Sequence, residues 1–261
     1  MSLSFSTGLR TFTAAYGSYK QALQGGKMRL YSGSVPATAD AALVSGYTLL
    51  NQITLASGAL TEEVCAAGSV TVAGSSGTVT SITVDGKEIL GVTCAYVDSP
   101  ANLATLIANT INAYAPILGA EYIATTSSAK VIITALPGSG TSANGLVVST
   151  TVTGSVTKTD VNMGTEVAGV SGVNGITYGG ATAGVLAKGT GIWSGTNLAT
   201  GTATYFRICG SVADGGALST SLIRIQGTCG ISGSDYVMSS TTLTLGYTHT
   251  VDGFSLTVSS T

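Results

Sequence analysis

From residue 202 onward, apolar and polar positions alternate in short runs separated by turn residues, a period of two that predicts half-buried strands. Residues 202–209 put Thr204, Phe206 and Ile208 on one face and Tyr205, Arg207 and Cys209 on the other, so one side is expected in the core and one in water. Ala213-Asp214-Gly215-Gly216 reads as a turn. Residues 222–226 then carry Ile223 and Ile225 opposite Arg224 and Gln226, and the two runs are predicted to pair. Residues 236–238, 241–245 and 254–258 continue the series, so 189–261 is expected as a β-meander ending in its own core sheet.

Upstream, residues 27–31 alternate, Gly33-Ser34-Val35-Pro36 reads as a turn, 37–42 suit one helical turn, and 47–55 return as a strand. Residues 66–174 differ in character. Runs at 69–72 and 79–84 flank a glycine-rich 73–77 that reads as a hairpin, and Asp85-Gly86 gives a second tight turn before 87–90. Ser99-Pro100 supplies an N-cap and a first-turn proline, and Leu103, Leu106, Ile107, Thr110 and Ile111 recur at helical spacing. Strand runs at 121–125, 130–135 and 145–151 complete a compact α+β order. The strands before this stretch are too few to bury a face alone. The fold class expected is therefore mainly β: an antiparallel β-sandwich host domain, 27–65 plus 175–261, interrupted by a small α+β inserted domain, 66–174. Residues 1–26 carry only the thin stripe Leu9, Phe12, Tyr16 and Tyr19, and read as an N-terminal arm docking on a neighbour, with a short helix as the other fit.

Composition adds a constraint on the surface. Only 8% of the 261 residues are charged, against roughly 25% in an ordinary soluble domain. An exterior of Ser, Thr, Gly and Ala implies that much of it is covered by other chains. Net charge is −2 and the ten Lys and Arg are dispersed, which argues against nucleic acid as a partner. No apolar run reaches the roughly 18 residues of a membrane span. The first residues lack signal-peptide character, so synthesis and folding in a cytoplasm are expected.

Candidate chemistry is sparse. Cys65, Cys94, Cys209 and Cys229 lie far apart, without metal-ligand spacing. They read as small buried hydrophobes or as thiols that cross-link, within or between chains, after an assembled particle leaves the reducing cell. Cys209 and Cys229 fall on consecutive strands with opposite parity, pointing to opposite faces unless Gly227 marks a bulge. The one histidine, His249, has no nucleophile elbow or carboxylate at a recognisable spacing and reads as a strand-end imidazole. Asp85-Gly86, Asp214-Gly215 and Asp252-Gly253 read as turn chemistry rather than calcium ligands. No phosphate-cradling glycine pattern stands out. No cofactor, metal or catalytic residue is assigned, and the chain is expected not to be an enzyme. Trp193 is expected as a core anchor or an interface plug, with sugar stacking as the functional reading. Phe12, Tyr16 and Tyr19 are the other candidate interface anchors, and Tyr96, Tyr114 and Tyr122 the aromatics a displayed module would use in recognition.

Two stretches carry a resemblance. The segment KMRLYSGSVPATADAALVSGYTLLNQITLASG, in which a strand leads through a Gly-Ser-x-Pro-Ala-x-x-Asp turn to a second strand, resembles a segment of structural proteins of tailed bacteriophages. The runs GIWSGTNLATGTATYFRICG and STSLIRIQGTCGISGSDYVMSSTTLTLGYTHTVDGFSLTV resemble the C-terminal half of the same proteins, so that about residues 27–60 and 174–261 are covered. The inserted stretch, with GTVTSITVDGKEIL and SPANLATLIANTINAYA, is similar to small modules inserted in phage tail and capsid-surface proteins. The resemblance implies a non-enzymatic virion component at the capsid surface, head-to-tail neck or tail, made in the bacterial host cytoplasm. Its partners would be copies of itself and major capsid, neck or tail proteins, with no nucleic acid or membrane, and its assembly a symmetric homo-oligomer. The alternative is a receptor- or carbohydrate-binding protein at the tail tip.

Overall fold

The computed structural model describes residues 3–257, so the expected end of the last strand at Val258 lies outside the described residues. The protein is mainly β, with several antiparallel sheets. Its contacts divide it into two units: one runs up to Glu63 and resumes at Gly172, and the other is Val64–Ser171.

The discontinuous unit is built on one eight-stranded sheet. Across it run Ser4–Phe5, Arg224–Gly230, Tyr205–Cys209, Lys27–Ser32, Thr48–Leu55, Trp193–Thr196 and Thr248–Val251, with Tyr236–Val237 attached in parallel to Arg224–Gly230. The same unit also holds a three-stranded sheet (Tyr178–Thr182, Val185–Lys188, Ser255–Thr257) and a two-stranded one (Gly201–Thr202, Thr242–Leu243). Tyr205–Cys209 and Arg224–Gly230 pair as expected, in unbroken register from Tyr205 opposite Thr228 to Cys209 opposite Arg224. The C-terminal strands are not, however, a meander. Lys27–Ser32 and Thr48–Leu55 sit between Tyr205–Cys209 and Trp193–Thr196, in the middle of the sheet. Burial explains the position: Lys27–Ser32 hides Met28 and Leu30 on one face and Lys27 and Tyr31 on the other, which a solvated edge strand cannot do. The sheet also curls. Tyr236 is carried at one margin and His249 at the other, yet Tyr236 Oη and His249 Nε2 are 2.8 Å apart.

The described residues before Gly26 form no arm. Thr7–Ala15 is a helix capped by Ser6, whose hydroxyl accepts from Leu9 N, and Tyr19–Leu23 is a second, opened by a capping box of Ser18 and Gln21. Leu9, Phe12 and Leu23 are buried within the unit itself. Of the stripe expected to dock on a neighbour, Leu9 and Phe12 belong to the chain's own core, and Tyr16 and Tyr19 are half-buried.

In the continuous unit, the helix Pro100–Tyr114 packs mainly against Tyr122–Ser127 and Lys130–Ala135. Ser99 caps it by accepting from Asn102 N, and Leu103, Ala104, Ile107, Ala108 and Ile111 are buried, while Leu106 is exposed. One four-stranded sheet contains Val148–Gly154, Gly77–Val84, Lys87–Glu88 and Cys94–Ala95; the other contains Thr157–Val161, Ala67–Ala73, Lys130–Ala135 and Tyr122–Ser127. The hairpin expected around 73–77 is not formed. Ala67–Ala73 and Gly77–Val84 pair instead with Thr157–Val161 and Val148–Gly154, so the two strands make one bent ribbon shared between the sheets. The corner depends on glycine: Gly77 has φ +123°, and a Cβ there would lie 2.0 Å from the Thr153 carbonyl oxygen. Asp85-Gly86 does form a tight turn, with φ of 49° and 77°. The edge strand Tyr122–Ser127 is guarded by Asn112, whose side chain donates to Ala124 O (2.9 Å) and accepts from Ala124 N (2.8 Å).

Candidate functional site

The register of the large sheet lines up polar side chains on the face that alternation assigns to water. Gln52, Arg29, Arg207 and Gln226 run straight across four strands, and Lys27, Cys209 and Arg224 run beside them. All five residues of Tyr205–Cys209 are buried, so the wet side expected for this strand is absent. Loops cover it. Arg224 donates to both carboxylate oxygens of Asp214 (2.6 and 2.7 Å) and to the carbonyls of Ala39 and Asp40 (3.3 Å each) and Ala217 (2.8 Å). Arg207 donates to Gln226 Oε1 (2.6 Å) and Ala41 O (3.1 Å), and Gln226 Nε2 donates to Pro36 O (2.8 Å). Lys27 reaches Val212 O and Glu62, each at 2.6 Å. Two distant stretches of sequence, the Gly-Ser-x-Pro-Ala-x-x-Asp turn and the Arg-bearing C-terminal strands, are thereby fastened together.

Electrostatics explain the tightness of this layer. Burial alone would raise the pKa of Asp214, but the Arg224 hydrogen bonds and charge, with Gly216 N, bring it to about 2. Arg207 has no ion pair among the described residues: burial first and then the Arg224 charge lower its pKa against the weaker opposite pull of Asp214, and its Nη1 has no hydrogen-bond partner. These cations bind the protein's own loops.

The cysteines are not brought together. The register passes Gly227 without a bulge, which leaves Cys209 and Cys229 on opposite faces and excludes a bridge between them. Cys94, Cys209 and Cys229 are free thiols. Burial, then Asp214 for Cys209 and Asp235 for Cys229, pushes each of those two up to about 12, well above the range of reactive thiols. Cys65 is half-buried in the continuous unit.

Trp193 is fully buried, donates from Nε1 to Thr177 O (3.1 Å) and packs against Tyr178 and Phe254. It is a core anchor, and the interface-plug and sugar-stacking readings are corrected. Phe12 packs on Tyr16, and Tyr19 edges onto Phe5, all within the same unit. Tyr114 is exposed, whereas Tyr96 and Tyr122 are half-buried. His249 is not a lone strand-end imidazole. Burial lowers its pKa against the opposite pull of Asp252, burial raises that of Tyr236, and the ring Nε2 and the phenol oxygen share one hydrogen bond. Alternation alone could not have found this pair, because the sheet must curl to make it. Among the described residues no three His, Cys, Asp or Glu side chains converge as a metal site requires, and no helix is long and apolar enough to cross a membrane.

What the molecule turns outward is apolar in places. In the discontinuous unit Leu218 (73%), Tyr247 (70%), Ile231 (69%) and Leu245 (61%) are among the most exposed, and in the continuous unit Ile117 (77%) and Val97 (69%). Comparison with protein-family models, with curated protein sequences and with solved structures finds no match to this chain.

Proposed function

We propose that this protein is a non-enzymatic structural component of a tailed-phage particle, assembling as a symmetric oligomer at the capsid surface or head-to-tail neck and stabilising it through contacts between chains. The observation that carries the reading is the surface. Large apolar side chains stand in water on a chain with only 8% charged residues, and Lys27, Arg207 and Arg224 are withdrawn from that surface altogether. Covering such a surface is favourable at about 25 cal/mol per Å², and repetition around a ring multiplies individually modest contacts. A loop layer fixed by buried guanidinium groups suits a mechanical part. The resemblance of about 27–60 and 174–261 to virion structural proteins supports the same reading. Its partners would be its own copies and the major capsid, neck or tail proteins, in the virion, after synthesis in the host cytoplasm. Mass photometry of the purified chain and cross-linking of intact particles test this. Closed oligomers and links to virion proteins are expected; a chain that stays monomeric at high concentration and is missing from particles would sink it.

A further inference from the structure

We propose that the discontinuous unit carries a binding site for a neutral saccharide, in the cleft between the turn at Tyr247 and the segment 239–244. The cleft measures about 350 Å³, at the small end of the range of roughly 300–1,000 Å³ for small-molecule sites. Its floor is rigid: Asn197 Oδ1 accepts from Asn51 Nδ2 (2.7 Å), and Asn197 Nδ2 donates to Thr244 O (2.9 Å). Its wall is rich in hydroxyls open to a ligand. The hydroxyls of Ser239, Thr242, Thr244 and Thr248 line the cleft or its rim, stand exposed, and make no hydrogen bond among the described residues. Each can both donate and accept, as the hydroxyls of a sugar do.

Tyr247 adds the apolar surface that the C–H face of a sugar ring requires. The residue is 70% exposed, while its main chain is pinned by Asn197 N to Tyr247 O (2.8 Å) and Tyr247 N to Thr244 O (3.2 Å). No Asp, Glu, Lys or Arg lines the cleft, and His249 at its back is engaged by Tyr236. An ionic ligand would find no counter-charge there, and a purely apolar one would strand the hydroxyls. The site stands on the geometry of one unit and does not require a virion role.

The test is titration of the intact protein with maltohexaose, cellohexaose and triacetylchitotriose, with hexagalacturonate as the charged comparator, followed by calorimetry and amide shifts. Saturable binding of a neutral probe, with shifts at Asn197, Thr244 and Tyr247, is expected. Tyr247→Ala, at a residue 70% exposed, should weaken it about tenfold, as removal of one stacking contact does, and Tyr247→Trp should retain it. Absence of saturable binding by every neutral probe overturns the site, as does equal binding of the charged comparator or indifference to Tyr247→Ala. A Tyr247→Ala variant that changes self-association while no saccharide binds assigns the ring to a contact between copies and also overturns it.

Discussion

Asp214 illustrates how much a single side chain can hold. It receives two bonds from a fully buried guanidinium and, through Arg224, ties the carbonyls of residues 39 and 40 to the sheet. Asp214→Asn should cost about 3–5 kcal/mol in urea unfolding, because it leaves Arg224 buried without a counter-charge. The pH dependence follows from the sign of the shift. The folded pKa lies at about 2, below the ordinary 3.8, so the contribution is present above the unfolded value and fades as pH drops from 3.8 towards 2. Acid titration followed by Trp193 fluorescence should show that slope in the native chain and a flatter one in the variant. Cys209 and Cys229, both with thiol pKa values at about 12, should resist iodoacetamide at pH 8 until denaturant is added. Mass spectrometry of labelled peptides checks this, and rapid native labelling of Cys209 would contradict its burial. The sequence could not disclose this layer: the alternation that placed Arg207 apart from Ile208 is real, but alternation says nothing of a loop arriving to cover the polar side.

Among elements, the helix Pro100–Tyr114 was legible because its start is written in local chemistry, Ser99 as cap and Pro100 in the first turn. The paired strands at Tyr205–Cys209 and Arg224–Gly230 were legible for the same local reason. What failed was partner choice at a distance. A glycine-rich stretch at 73–77 looks identical whether the chain reverses or merely bends, and only the arrival of Thr157–Val161 and Val148–Gly154 makes it a corner. Gly77→Ala separates the two: a reversing loop would tolerate it, but here the strained φ and the contact with Thr153 O should cost about 3 kcal/mol or more, read as a lowered thermal midpoint.

At the scale of the molecule, the chain leaves the first unit after Glu63 and returns at Gly172. Thr61 and Val173 exchange both backbone hydrogen bonds at 3.0 Å just inside that junction. Replacing residues 64–171 with a short Gly-Ser turn should therefore leave a cooperatively folding unit with native Trp193 fluorescence, measured by thermal unfolding; a broad, non-cooperative melt would show that the two units depend on each other. The scarcity of charge was plain from composition, but its distribution was not, since several of the few cations lie inside. Because Arg207, Arg224 and Gln226 grip residues 36–41 through the backbone oxygens of Pro36, Ala39, Asp40 and Ala41, and Leu43 N bonds to Gly216 O, the course of that segment does not depend on the side chains at the outward positions Ala37 and Ala42. Those two places form a display frame on which new side chains, tags or reactive handles can be written while the path beneath them stays put.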